Sequence, residues 1–190
     1  MANKDSKYKY KFEYCMNALH YCIYKGEVRL YENALNNTSK YLRFFSKLFG
    51  FEKWYHRVAE KNINDTEGRK IFFDKKKSFS IGKANRIFGF LYSGYHSFFS
   101  FILGGLGFRF FEDKYPLLNI FLLGIPIGIG YIPAYRAVFT KDKYLKYYKK
   151  FEKKDASWHK KWKWITIAFF IGSWIMLAIG VAAMWGVLLL

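Results

Sequence analysis

Residues 87–135 read IFGFLYSGYHSFFSFILGGLGFRFFEDKYPLLNIFLLGIPIGIGYIPAY, two apolar segments separated by a short charged turn. The segments Ile87–Phe108 and Tyr115–Tyr135 carry no formal charge. Each matches the roughly 20 residues that a helix needs to cross the hydrocarbon core of a bilayer. A third uncharged segment, Trp164–Leu190, follows later in the chain. The sequence therefore predicts a mainly α-helical membrane protein with three transmembrane helices.

The distribution of charge predicts the orientation of these helices. The net charge is +18; residues 1–86 hold 19 Lys and Arg against 9 Asp and Glu, and residues 136–163 hold 11 against 3. The turn 109–114 is neutral. Short basic loops stay on the cytoplasmic side of a membrane. We therefore expect a cytoplasmic N-terminus and a cytoplasmic 136–163 loop, with the 109–114 turn and the C-terminus at the outer face.

The same features divide the chain into four regions. They are a basic cytoplasmic domain (1–86), a transmembrane helical hairpin (87–135), a basic aromatic cytoplasmic loop (136–163) and a C-terminal transmembrane helix (164–190). The pattern predicts a small α/β or α+β fold for the first region. Lys7–Cys15 alternates charged and aromatic residues, which is typical of a half-buried strand. A helix from Phe12 to Ile23 is the alternative that the sequence leaves open here, because Phe12, Met16, Leu19 and Ile23 would share one face. His20–Tyr31 is predicted as a hairpin with Lys25 and Gly26 at the turn.

The rest of the N-terminal region is predicted to contain one amphipathic helix and a second hairpin. Aromatic and apolar residues recur at helical spacing over Lys40–Lys61, with lysines and arginines on the other side. This helix would either close the core of a small domain or lie on an anionic membrane surface. Lys70–Asp74 and Ser78–Ile81 are predicted to pair as strands.

The first apolar segment carries a polar stripe at helical spacing. Its members are Ser93, His96, Ser97, Ser100 and Gly104. Ionisable residues inside a membrane are costly and often functional, so this stripe is a candidate pore lining. The alternative is that small residues allow close helix packing while His96 hydrogen-bonds to a neighbour.

The second apolar segment is rich in residues that disturb helices. Gly124, Pro126, Gly128, Gly130 and Pro133 fall within ten positions. Proline removes a helical hydrogen bond, and broken helices at membrane depth require shielding by protein or a water-filled cavity. The segment is therefore a second candidate for a pore lining or a helix interface.

Basic side chains form the candidate binding surface for an anionic partner. The sequence does not decide whether this partner is nucleic acid, nucleotide, acidic protein or lipid. A helix is predicted where lysines and aromatic residues interleave after residue 143. The candidate residues of the whole chain are Lys40, Arg43, Lys47, Lys75, Lys76, Lys77, Lys146, Lys149, Lys150, Lys153 and Lys154.

The stretch Gly104–Phe111 (GGLGFRFF), followed by Leu117–Gly124, resembles the two-transmembrane domain family, whose first helix ends in a G-x-H-R-F-Y signature. Gly107, Arg109, Phe110 and Phe111 are the matching positions, and the resemblance covers residues 97–138. The family's His, the glycine after its aromatic residue and the acidic residue late in its second helix are absent here. The resemblance implies a tight helical hairpin.

No paired carboxylates, nucleophile with a base, or metal-ligand spacing stands out, so the sequence predicts no enzyme, no cofactor and no metal. Cys15 and Cys22 are expected to be buried free thiols. We expect a multi-pass membrane protein that forms oligomers with itself or with other membrane subunits. Its basic face would dock the anionic partner, and its Gly/Pro-broken helices would form or gate a membrane pathway, a design that suits a defence-type effector. The alternative is a structural or accessory subunit of a larger membrane complex.

Overall fold

The computed structural model describes residues 2–48, 53, 75, 78–111 and 114–190. Within these ranges the chain is almost entirely helical and contains no strand. The helices are α1 (Ala2–Leu48), α2 (Phe79–Phe111), α3 (Pro116–Val138), α4 (Lys143–Phe151) and α5 (Ala156–Leu189), with a 3-10 turn at Thr140–Asp142. The mainly helical prediction is confirmed, and so is the helix predicted after residue 143.

The predicted α/β fold of the N-terminal region is wrong for the described residues. The expected strand Lys7–Cys15 and the hairpin His20–Tyr31 both lie within the continuous helix α1. Tyr10, Tyr14, Asn17 and Tyr21 are spaced four, three and four residues apart, and all four contact α3, α4 or α5. The alternation of charged and aromatic residues predicted a strand, but the side chains that contact other helices are those on one face of a helix. These contacts favour the helix.

The other N-terminal predictions fall partly outside the described residues. Ser78–Ile81 forms the start of α2 rather than a strand, while Lys70–Asp74 lies outside the described ranges. Of the predicted helix Lys40–Lys61, residues 40–48 form the end of α1 and Lys53 is helical. The remaining residues of that prediction are not among those described.

The chain divides into two compact units, Met1–Cys22 with Arg86–Leu190, and Ile23–Asn85. In the second unit, the Oγ of Ser78 accepts a hydrogen bond from the backbone N–H of Ile81 at 3.3 Å, which caps the start of α2. Lys83 Nζ lies 2.7 Å from Glu27 Oε2. This ion pair joins α2 to α1 within the second unit.

Two helical stretches, Pro116–Phe151 and Ala156–Leu189, are long and apolar enough to cross a membrane. Their apolar side chains face outward to an unusual degree: Ile120, Phe121, Ile129, Phe170 and Ile175 are all exposed. Large exposed apolar surfaces of this kind mark contact with a membrane or with other proteins. The expected third helix, α2, does not reach the same apolarity, because Tyr92, Ser93, Tyr95 and His96 interrupt its apolar sequence.

Two residues in the left-handed region lie between helices α3 and α4. Lys141 has φ 57° and Asp142 has φ 52°, which is uncommon for residues other than glycine. In α4, Tyr144, Tyr148 and Phe151 are buried. The basic helix α4 lies beside the first part of α1, because Lys143 and Tyr147 both contact Glu13.

Candidate basic surface at one end of the helical bundle

The polar stripe of α2 lies within contacts between helices. Ser97 and Ser100 are buried, and Ser97 Oγ donates a hydrogen bond to the Gly94 carbonyl at 2.6 Å. The Ser100 Oγ has no hydrogen-bond partner in the part of the chain that the structure describes. Gly104 lies against Leu123 of α3, and the His96 ring lies against Gly130 of α3. Ser93 is half-buried.

The opposite side of α2 packs along α5. Gly94 approaches Ser173, Gly105 approaches Met184, and Gly180 of α5 lies beside Phe98 and Phe101. The Tyr95 hydroxyl donates to the Phe169 carbonyl at 2.9 Å, and the two rings stack with their centroids 5.0 Å apart. Small residues at such contacts let helix backbones approach closely. Helix α2 is therefore the central helix of a bundle with α3 and α5.

The expected break in the second apolar segment is absent, since α3 continues through both Pro126 and Pro133. Each proline lacks an N–H group, so the carbonyls of Leu122 and Ile129 lose their usual helical partners. Gly130 contacts His96, whereas Gly124 and Gly128 have only open space where a side chain would stand. Gly130 is therefore packed against α2, and we call Gly124 and Gly128, which meet no neighbouring atom, the open glycines of α3.

The first part of α1 crosses one end of this bundle. Asn17 Nδ2 donates to the Ala137 carbonyl of α3 at 3.0 Å, and Trp158 Nε1 of α5 donates to the Tyr14 hydroxyl at 2.9 Å. His20 is fully buried among the rings of Phe88, Phe139, Tyr144 and Tyr148, and a 3.0 Å hydrogen bond joins its Nδ1 to the Tyr148 hydroxyl. An aromatic layer therefore closes this end.

A carboxylate fixes α4 to α1 at the edge of the aromatic layer. Glu13 accepts a hydrogen bond from Lys143 Nζ at 2.6 Å and another from the Tyr147 hydroxyl at 3.2 Å. Burial, followed by the adjacent charge of Glu13, raises the pKa of Tyr147 to about 12. Lys150 Nζ donates to the Tyr10 hydroxyl at 3.0 Å, a contact that raises the pKa of Lys150.

The segments that form and flank the aromatic layer carry exposed cations, and we call this set of cations the basic surface. Of the residues predicted to bind an anionic partner, it includes all five from the 136–163 region. Its members are Lys9, Lys11, Arg136, Lys146, Lys149, Lys150, Lys153, Lys154, Lys160, Lys161 and Lys163, all exposed.

The other predicted cations belong to the second unit or lie outside the described residues. Lys40 and Lys47 are exposed but belong to the second unit, as does the half-buried Lys75. Lys76, Lys77 and the side chain of Arg43 lie outside the described residues. Lys9, Lys11, Arg136, Lys160, Lys161 and Lys163 belong to the basic surface but were not predicted from the sequence. For Arg136 and Lys163 the available signal was their position directly beside Tyr135 and Trp164, the aromatic residues at the ends of the apolar segments.

The two cysteines lie on α1. Cys15 and Cys22 are half-buried rather than buried as expected, and burial raises the pKa of Cys15. Among the described residues, no group of three or more His, Cys, Asp or Glu side chains is placed to hold a metal ion. Comparisons of this chain with protein-family models, with curated proteins and with solved structures find no match.

Proposed function

We propose that this chain is a three-span membrane protein that presents its basic surface at the cytoplasmic face of the membrane and binds an anionic partner there. The observation that supports this function is the junction of two exposed apolar helices, α3 and α5, with a cluster of exposed cations at one end. The exposed apolar side chains match a bilayer, and the concentration of lysine at one end matches the cytoplasmic side.

Packing at the two ends of the bundle supports α2 as the third span. Phe88 of α2 packs against His20 in the aromatic layer at the basic end, with ring centroids 5.4 Å apart. At the other end of α2, Arg109 Nη1 donates to the Val187 carbonyl of α5 at 3.1 Å. Helix α2 thus runs from the basic end to the far end, alongside α3 and α5. If α3 and α5 cross the membrane, α2 crosses with them, and its polar stripe is shielded by its two neighbours.

A polyanion provides the test of partner binding. Membrane vesicles that contain the protein are prepared right-side-out and inside-out, and binding of fluorescent polyglutamate is measured on each. We expect binding to inside-out vesicles only, because the basic surface faces the cytoplasm. Replacement of Lys146, Lys149 and Lys153 by Gln should reduce that binding, whereas replacement of Lys40, Lys47 and Lys53 removes equal charge from the second unit and should reduce it less. Binding that both triple variants lower equally would contradict a role for the basic surface.

The open glycines of α3 favour a second candidate function, a membrane pathway built from several copies of the chain. Gly124 and Gly128 are four residues apart and meet no neighbour, which leaves a face on which another helix can approach closely. This function predicts ion leakage from liposomes that contain the protein. Gly128→Leu and His96→Leu should abolish the leakage without loss of insertion. Gly186→Leu, at an equally open glycine of α5, is the matched control and should leave the leakage unchanged. Absence of leakage from the parent protein would refute this function.

A further inference from the structure

Two exposed pairs of an aromatic residue and a cation mark the basic end of the bundle. On α3, Tyr135 is 53% exposed and precedes the exposed Arg136. On α5, the exposed Lys163 precedes Trp164, which is 63% exposed. In each pair, the aromatic residue is next to the apolar part of its helix, and the cation is nearer to the aromatic layer. Tyrosine and tryptophan prefer the headgroup level of a bilayer, so each pair marks that level.

Helix α1 shows that the two pairs lie at a similar level. Asn17 is bonded to Ala137, the residue after Arg136, and Tyr14 contacts Trp162, the residue before Lys163, with ring centroids 6.0 Å apart. Tyr14 and Asn17 are neighbours on one turn of α1. A single turn of α1 therefore bridges α3 and α5 beside both cations.

Two further lysines extend this group along α5. Lys160 and Lys161 are exposed, and a rise of 1.5 Å per residue places them within about 6 Å of Trp164 along the helix axis. None of Arg136, Lys160, Lys161 and Lys163 forms an ion pair with a residue that the structure describes. By contrast, Lys143 is paired with Glu13. The four cations at the headgroup level thus keep their charge available for an external anion.

We infer that Arg136, Lys160, Lys161 and Lys163 bind the phosphate groups of anionic phospholipids in the cytoplasmic leaflet. We call these four residues the headgroup ring; the inference rests on the proposed membrane location of the bundle. Lipid fits this part of the basic surface better than a soluble polyanion. The exposed apolar helices begin directly beside the four cations, so a phospholipid bound here would place its phosphate on the ring and its acyl chains along α3 or α5. Cations close to the membrane surface attract anionic lipid individually.

The test compares lipids at the protein surface in vesicles. The protein is reconstituted in phosphatidylcholine, in which brominated phosphatidylglycerol or brominated phosphatidylcholine replaces an increasing share of the lipid. Quenching of tryptophan fluorescence then gives the relative affinity of the two lipids. The parent protein should prefer phosphatidylglycerol, and the preference should weaken at high salt, where the screening length falls to about 3 Å.

Charge variants identify the residues responsible. The variant with Lys160, Lys161 and Lys163 replaced by Gln should lose most of the preference, since each cation near the surface contributes up to about fivefold. The variant with the same three lysines replaced by Arg should keep it, which separates loss of charge from loss of fold. Replacement of Lys40, Lys47 and Lys53 by Gln is the charge-matched control and should also keep it.

Three results would overturn the inference. The first is no preference in the parent protein, and the second is a preference that survives unchanged in the Gln variant of the headgroup ring. The third is an equal loss in the control variant, because it would show an effect of net charge alone. Polyglutamate binding to inside-out vesicles together with no lipid preference would remove only this inference and leave the proposed function intact.

Discussion

The side-chain amide of Asn17 donates a hydrogen bond to the backbone carbonyl of Ala137, 3.0 Å away, and thereby joins α1 to the last turn of α3. The last four carbonyls of a helix have no partner within that helix, so Asn17 supplies one from outside. Asn17 is fully buried, and its Nδ2 also donates to the Glu13 carbonyl of its own helix at 2.7 Å. This contact fixes where α1 crosses the bundle and hence where the basic surface lies.

Replacement of Asn17 by Ala should lower the free energy of unfolding by about 1–3 kcal/mol, the usual cost of leaving a buried polar group unsatisfied. The measurement is reversible unfolding in detergent, followed by tryptophan fluorescence. Asn33→Ala, at an exposed position of the same helix, is the control and should change the free energy by less than about 0.5 kcal/mol. Equal effects of the two substitutions would contradict the role of Asn17.

Replacement of Gly94 by Ala should destabilise the bundle. The added methyl group would meet the Ser173 side chain and would lie 3.2 Å from the Ser173 carbonyl oxygen. Overpacking of this kind costs about 1–3 kcal/mol. Gly82→Ala, on the same helix but facing open space, should instead be neutral or slightly stabilising. Thermal unfolding in detergent distinguishes the two, and an unchanged midpoint for Gly94→Ala would contradict the close contact of α2 with α5.

Tyr147 should make stability fall at high pH. Its pKa is raised in the folded protein from 10.0 to about 12, so the folded state holds the proton more tightly than the unfolded state. The stabilising contribution is therefore complete below pH 10 and is lost as the pH rises through about 12. Tyr147→Phe should remove this part of the decline, whereas Tyr115→Phe, at an exposed site, should not. Parallel stability curves for the parent protein and Tyr147→Phe would contradict the assignment.

The sequence was sufficient to predict the apolar helices, but not the helical structure of α1 or the residues that α1 presents to its neighbours. In Lys7–Cys15 the aromatic residues alternate with charged ones, and this alternation predicted a strand. In the structure Tyr8 and Phe12 are exposed, and Tyr14 is the side chain that contacts α5. The contact partners of Tyr14 lie more than 130 residues away in sequence, so local periodicity carried no information about them.

The sequence predicted which kinds of residue form the candidate site, but it predicted only part of their arrangement in space. The lysines after residue 143 were identified, because they form an obvious charge cluster. The headgroup ring was missed because Arg136 and Lys163 are separated by 26 residues, and only the packing of α1 against both helices brings them to one level. The polar stripe of α2 stays a prediction, since sequence alone did not decide between a pore lining and the helix contacts seen at His96 and Gly104.

The most direct test of the central claim is the side of the membrane on which each end of the bundle lies. Cys15 and Cys22 are first replaced by Ala, and single cysteines are then introduced as Lys9→Cys, Lys114→Cys and Lys154→Cys, all at exposed positions. Intact cells are treated with a membrane-impermeant maleimide, and permeabilised cells serve as the control for reactivity. We predict that only Lys114→Cys reacts in intact cells and that all three react after permeabilisation. Reaction of Lys9→Cys or Lys154→Cys in intact cells would contradict a cytoplasmic basic surface and with it the proposed function.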